Sequence, residues 1–211
     1  MTQRLQTDPK RFDPLAGFFL AQADRPAHIS AVLAAELTPL QRALLVIDGT
    51  VTSFLEAWAL EPVAVTRLWQ GAQKLIAPDR WLALEAGSAV IERAVLLSGA
   101  RSRGFFVFAE SRINADCLPA GMLGPLEAGE AGLGQILLAS GLDSRREGLW
   151  YGREQLKVLP DPVAAVSDGD FLTRTYRVST RGRPLMLITE RFAWRPSAVP
   201  VAAPDGAPSS D

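Results

Sequence analysis

Near the C-terminal end of the chain, two β-patterned segments, Phe171 to Thr180 and Pro184 to Trp194, are joined by a turn-rich link. A link that short between strands permits only a reversal, so the two segments form an antiparallel hairpin. Side chains alternate along a strand. In Pro184-Leu-Met-Leu-Ile-Thr-Glu-Arg-Phe192 this sets Met186, Ile188, Glu190 and Phe192 on one face and Leu185, Leu187, Thr189 and Arg191 on the other. Glu190 therefore points the way the core points. An ionised carboxylate there costs several kcal/mol unless it gains a cation, a ligand or a proton, which makes Glu190 the first site candidate.

The hairpin closes a longer run of strand patterns. From Glu61 onward β-branched and alternating segments recur at Val63 to Ala72, Ala89 to Leu97, Phe105 to Ile113, Leu149 to Val158, Phe171 to Thr180 and Pro184 to Trp194. Gly99 to Gly104 is a second short, turn-rich reversal. Before Glu61 the texture is helical. A short helix is expected near Leu15 to Ala23. Another opens at Thr38-Pro39, where threonine caps and proline fits the first turn, and ends at Asp48-Gly49. Thr50 to Leu60 resumes the pattern with Val51, Phe54, Leu55 and Trp58 on one face. A helical pair, Ala120 to Leu126 and Gly132 to Ala139, interrupts the strands. The expected class is α+β: a six-stranded antiparallel sheet flanked by helices. At 211 residues and 48% hydrophobic, the chain can bury one sizeable core, giving one domain over residues 1–194. Residues 195–211, rich in Pro and Ala, form an expected disordered tail.

Composition removes several function classes. Lys plus Arg number 22 against 23 Asp plus Glu, so no basic excess exists to hold nucleic acid. One cysteine, Cys117, excludes an internal disulfide. With one histidine, His28, it leaves no Cys/His metal cluster and no ordinary Ser-His triad. No apolar run reaches the ~18 to 20 residues of a membrane span. The expectation is a cytoplasmic protein without membrane partners.

A second anomaly accompanies Glu190. Alternation in Val90-Ile-Glu-Arg-Ala-Val-Leu-Leu97 sets Arg93 beside Ile91, Val95 and Leu97, a guanidinium on an apolar face. Such a group suits bidentate capture of a carboxylate, from Glu190 or from a ligand. Either residue alone in a strand is ordinarily solvated or paired; together on apolar faces they point to a site. Arg174 and Arg177 fall on opposite faces of their strand, and Arg174, with Leu172, Tyr176 and Val178, is expected to face inward. Glu110 shares a face with Phe106 and Phe108, and a buried ion pair and a site role suit it equally. Gly132-Leu-Gly134 lacks the strand-to-helix context of a nucleotide loop and reads as a place of close backbone approach. Asp143 to Glu147 reads as a solvated charge run, and His28 and Cys117 as surface and packing residues.

Taken in order, Leu45-Val-Ile-Asp-Gly-Thr-Val-Thr52, Arg93-Ala-Val-Leu-Leu97, Phe106-Val-Phe-Ala-Glu-Ser111, Leu133-Gly134, Arg174-Thr-Tyr-Arg-Val178 and Gly182 to Phe192 resemble the chorismate pyruvate-lyase family, in its bacterial branch that makes 4-hydroxybenzoate. The resemblance implies an enclosed site on a six-stranded chorismate lyase-like sheet, with chorismate as the small-molecule substrate and no metal or organic cofactor. It implies that Arg93 and Glu190 are the essential pair, that Thr52 contacts the ligand and that Leu133 lines the pocket. Val51 stands where the ubiquinone-pathway enzymes carry methionine, Glu110 where they carry arginine, and Gln135 replaces an arginine after Leu-Gly, so the second carboxylate contact is remodelled. Arg174 joins the expected substrate-binding set. The competing class is a non-catalytic module of the same fold that binds small aromatic acids, as effector domains of some transcription regulators do. The 40 residues before the domain are too few for a winged-helix half, which favours the enzyme.

Overall fold

The structure, a computed structural model, describes residues 12–128 and 132–195. Seven strands lie among them: β1 (Ile29–Ser30), β2 (Val63–Lys74), β3 (Ala89–Gly99), β4 (Phe105–Asn114), β5 (Ser144–Gln155), β6 (Asp170–Thr180) and β7 (Arg183–Ala193). They form one sheet in the order β1-β5-β6-β7-β4-β3-β2, and every pairing within it is antiparallel. Two three-stranded meanders, β2-β3-β4 and β5-β6-β7, thus meet where β7 pairs with β4. The helices are α1 (Pro39–Val46), α2 (Val51–Ala59), α3 (Ala120–Ala128), α4 (Leu133–Ala139) and the short α5 (Asp161–Ala164). None is long and apolar enough to cross a membrane.

Local chemistry explains the helix starts. Thr38 accepts a hydrogen bond from the Gln41 N–H at 3.2 Å, and the Gln41 side chain accepts one from the Thr38 N–H at 2.9 Å, with Pro39 in the first turn. Gln41 then donates through Nε2 to the Trp194 carbonyl at 2.8 Å, which fixes α1 against the end of β7.

One face of the sheet carries two apolar clusters. In the first, Leu44, Leu45, Val51 and Leu55 of α1 and α2 pack on Val95, Leu97, Val107 and Phe192. In the second, Ile136 and Leu137 of α4 and Met122 and Leu126 of α3 pack on Ile113, Met186 and Val178. Each fully buried leucine among them contributes roughly 1.5–3 kcal/mol. The opposite face is covered by Val163 of α5 over Phe108, Leu96 and Phe171.

Three expectations are corrected. The sheet has seven strands, not six, because Ile29–Ser30 pairs with Glu154 and Arg153 at its edge, and two residues give too short a pattern to be legible in sequence. No α-helix forms over Leu15 to Ala23. Gly17 adopts φ 79°, and the Leu20 and Ala21 N–H groups donate to the Gly148 and Leu149 carbonyls of β5, so this segment is held by the sheet instead. The strand expected from Leu149 begins at Ser144, because Glu147 finds its partner Arg177 on the neighbouring β6, and it ends at Gln155 rather than Val158. The expected tail lies, apart from Arg195, outside the described residues.

A candidate substrate cavity on the sheet

Rows of cross-strand neighbours show how the site is built. One row runs Arg93, Ser111, Ile188, Tyr176 across β3, β4, β7 and β6. The next runs Val95, Ala109, Glu190, Arg174. Arg93 and Glu190 thus rise from the same face with one strand, β4, between theirs, which separates their backbones by roughly 10 Å. The intervening strand carries only Ser111 and Ala109 there. Small side chains flanked by long ones leave a hollow, and the hollow falls between the two apolar clusters.

The lid comes from the helices. Val51 and Thr52, in the first turn of α2, and Leu133, at the start of α4, complete a cavity of about 50 Å³ whose walls include Arg93, Ser111, Tyr176 and Glu190. That is room for roughly two or three waters. The two lid elements approach closely. A Cβ placed on Gly134 would meet Thr50 Cγ2 at 2.8 Å, and one on Gly132 would meet Thr52 Oγ1 at 3.3 Å. The Gly132-Leu-Gly134 sequence therefore serves close backbone approach, as its spacing suggested.

Glu190 is 4% exposed, and both of its oxygens are engaged. Arg174 donates from Nε to Oε2 at 2.7 Å, and its Nη2 lies 2.7 Å from the same oxygen. The Tyr176 hydroxyl donates to Oε1 at 3.0 Å. Arg174 also reaches the Leu45 and Ile47 carbonyls, at 3.3 and 3.2 Å, tying the α1–α2 connection to the sheet. Burial first, and then the Glu190 charge, raises the pKa of the Tyr176 phenol, so it remains a donor. Arg93 is 1% exposed. Burial, with the charge of Arg67 second, draws its pKa below the ordinary guanidinium value, and a bound anion would offset both effects.

The structure brings Arg93, Glu190, Val51, Thr52 and Leu133 around one cavity. Arg174 faces inward but stands behind Glu190 as its partner. Glu110 lies on the other face, where Arg191 donates from Nη1 to its Oε2 at 2.7 Å and from Nε to Glu154 Oε2 at 2.8 Å. It does not reach the cavity. Arg177 also faces away, donating to Glu147 at 2.7 Å. His28 is a neighbour of Glu154, with Nε2 3.4 Å from Oε1, and Asn114 donates to Cys117 Sγ at 3.2 Å. Among the cavity residues not expected as site residues are Ser111, Tyr176 and Arg146. The alternation that picked out Arg174 also places Tyr176. Arg146 falls in the Asp143 to Glu147 run that reads as solvated, but Ser144 to Glu147 belongs to β5, and a bulge between Gly148 and Trp150 shifts the register and breaks the alternation that would have revealed it.

The stretch of chain that builds this cavity matches a known family. A family model described as chorismate pyruvate-lyase Rv2949c-like matches residues 45–198, a stretch that holds every wall of this cavity named above. The chain belongs to this family. The chorismate pyruvate-lyase of Mycobacterium tuberculosis strain H37Rv is 31% identical over 161 residues, covering 72% of this chain and 78% of that protein. The enzyme of the same name from Mycobacterium leprae strain TN is 30% identical and covers 72% of each. Among solved structures, PhnF from Mycobacterium smegmatis superposes with a TM-score of 0.57 at 11% identity, covering 71% of this chain and 65% of that one. Its effector domain gives 0.53 at 11% identity, covering 69% of this chain and 89% of that domain. At that identity the likeness is one of fold.

Proposed function

We propose that the protein is a chorismate pyruvate-lyase, releasing pyruvate from chorismate and leaving 4-hydroxybenzoate. The observation that carries this reading is the placement of Arg93 and Glu190 on either side of a small-residue strand, inside a cavity closed by Thr52 and Leu133, in a chain of this family. Arg93 holds one substrate carboxylate by a charge-assisted, bidentate contact. The reaction then breaks the C–H bond at the hydroxyl-bearing ring carbon and the neighbouring C–O ether bond. The ring becomes aromatic, and the enolpyruvate that leaves takes up one proton to become pyruvate. One proton leaves the ring and one joins the leaving group, so a single carboxylate that accepts and returns it suffices. Glu190 is that carboxylate. Its oxygens are oriented by Arg174 and Tyr176, which fixes a base without water's reorganisation.

The closed volume is too small for a ring acid, so substrate entry requires α2 and the start of α4 to separate from the sheet and close again. No step calls for a metal or an organic cofactor. Incubation of the purified protein with chorismate, with pyruvate assayed enzymatically and the aromatic product identified by chromatography, tests the reading. Equimolar pyruvate and 4-hydroxybenzoate are expected, with both lost in Arg93→Ala and reduced at least ~100-fold in Glu190→Gln. Affinity for 4-hydroxybenzoate without pyruvate release from well-folded protein would establish instead a small aromatic-acid-binding module.

A further inference from the structure

We infer that Arg146 receives the second carboxylate of the substrate, and that the cavity beyond it accommodates the three-carbon acid when it departs. The inference rests on the lyase reading above, since it concerns a dicarboxylate.

Two negative charges must be met in the closed site. Arg174 is committed: Glu190 takes its Nε and Nη2, and the Leu45 and Ile47 carbonyls take its Nη1. Together Arg174 and Glu190 are neutral. Arg67, though near Arg93, donates from Nη1 to the Glu127 carbonyl of α3 at 2.7 Å, and Arg177 and Arg191 belong to the opposite face. Among the described residues, the cations that line the cavity are Arg93 and Arg146.

Their placement suits the two ends of one molecule. Arg93 rises from β3 and Arg146 from β5, with β4, β7 and β6 between them in the sheet. Arg146 pairs in register with Val178, on the face that carries Tyr176 and Arg174. It is near enough for its charge to act on the Tyr176 hydroxyl, which touches Glu190. A carboxylate on Arg146 is therefore beside the proton-handling group, as the enolpyruvyl carboxylate has to be, while the ring carboxylate lies at the Arg93 end.

Arg146 and Tyr176 also wall a second cavity, of about 240 Å³, bounded by Phe19, Leu45 and Ile47. The two cavities adjoin at these shared side chains. A three-carbon acid freed next to Arg146 can pass into that space without crossing the ring still held at Arg93. Arg146 donates from Nη1 to the Asp48 carbonyl at 2.9 Å, in the connection that leads into α2. One of its five N–H donors is thereby used to hold the lid's approach, so a carboxylate on the remaining donors couples substrate capture to closure.

The test compares a dicarboxylate with a monocarboxylate on the full chain. Steady-state pyruvate release gives kcat/KM for chorismate, and competition by 4-hydroxybenzoate gives its Ki, for wild type, Arg146→Met and Arg146→Lys. In Arg146→Met, kcat/KM is expected to fall about tenfold to hundredfold, the worth of one charged hydrogen-bonded contact. The Ki for 4-hydroxybenzoate, which has no second carboxylate, stays unchanged, and lysine restores part of the loss. Arg93→Met, by contrast, raises that Ki. A parallel loss for both ligands in Arg146→Met, or an unchanged kcat/KM, would overturn the inference while leaving the lyase reading intact. Wild-type protein that releases no pyruvate overturns both.

Discussion

Replacing Arg174 by methionine keeps much of the side chain's volume and removes the charge that faces Glu190. The structure gives the cost. Glu190 is 4% exposed and Arg174 3%, so water cannot replace the lost partner. Breaking a buried pair by removing one member costs about 3–5 kcal/mol, because the other charge stays buried. In a domain of this size that corresponds to a fall in Tm of ~6–20 °C. The decisive variant is the double replacement, Arg174→Met with Glu190→Leu. Removing both partners of a buried pair is close to neutral, but the Tyr176 hydroxyl loses its acceptor and the Leu45 and Ile47 carbonyls lose the Arg174 donor. Recovery should therefore stop about 1–2 kcal/mol short of wild type. Urea unfolding of wild type, both single variants and the double, fitted for midpoint and slope, yields the coupling energy. A double variant that loses the sum of the two single losses would refute the pairing, as would a single Arg174→Met cost below ~1 kcal/mol.

Gly134→Ala is expected to force α4 away from Thr50, since the new Cβ would lie 2.8 Å from Thr50 Cγ2. The ~1–3 kcal/mol of overpacking should appear as a lower Tm and a raised KM for chorismate, and adding Thr50→Ser, which deletes that methyl, should reverse both. Glu61 provides a pH test. Hydrogen bonds from the Ser102 side chain and backbone, with the Arg101 N–H adding to them, hold its carboxyl below the ordinary range. Its contribution is therefore present above the unfolded-state pKa and lost as pH falls through the folded one. Urea midpoints across the acid range should fall less steeply for Glu61→Gln than for wild type, and identical slopes would contradict the assignment.

Much of the site was legible in one dimension because strand alternation is strict. Once Glu190 and Arg93 are read as strand residues, their faces follow, and so does the inward turn of Arg174. What alternation leaves open is partnership. Glu190 had two plausible cations, and the register of β6 against β7 pairs it with Arg174 rather than Arg93. Glu110 illustrates the same limit. It lies one residue from Ala109, the residue opposite Glu190, and that single step puts it on the far face with Arg191.

The sequence by itself determined the α+β class, the two short reversals, the helix starts at Thr38 and Thr50, and the residues that are anomalous on apolar faces. These depend on local periodicity, capping and turn chemistry, which act within a few residues. Tertiary structure alone decided the seventh strand at Ile29–Ser30, the sheet-bound path of Leu15 to Ala23, and the β5 bulge that turns Arg146 toward the cavity. It also decided that the small side chains of Ala109 and Ser111 lie between Arg93 and Glu190. Each of these depends on contacts between segments far apart in the chain, and no local pattern records which strand will be the neighbour.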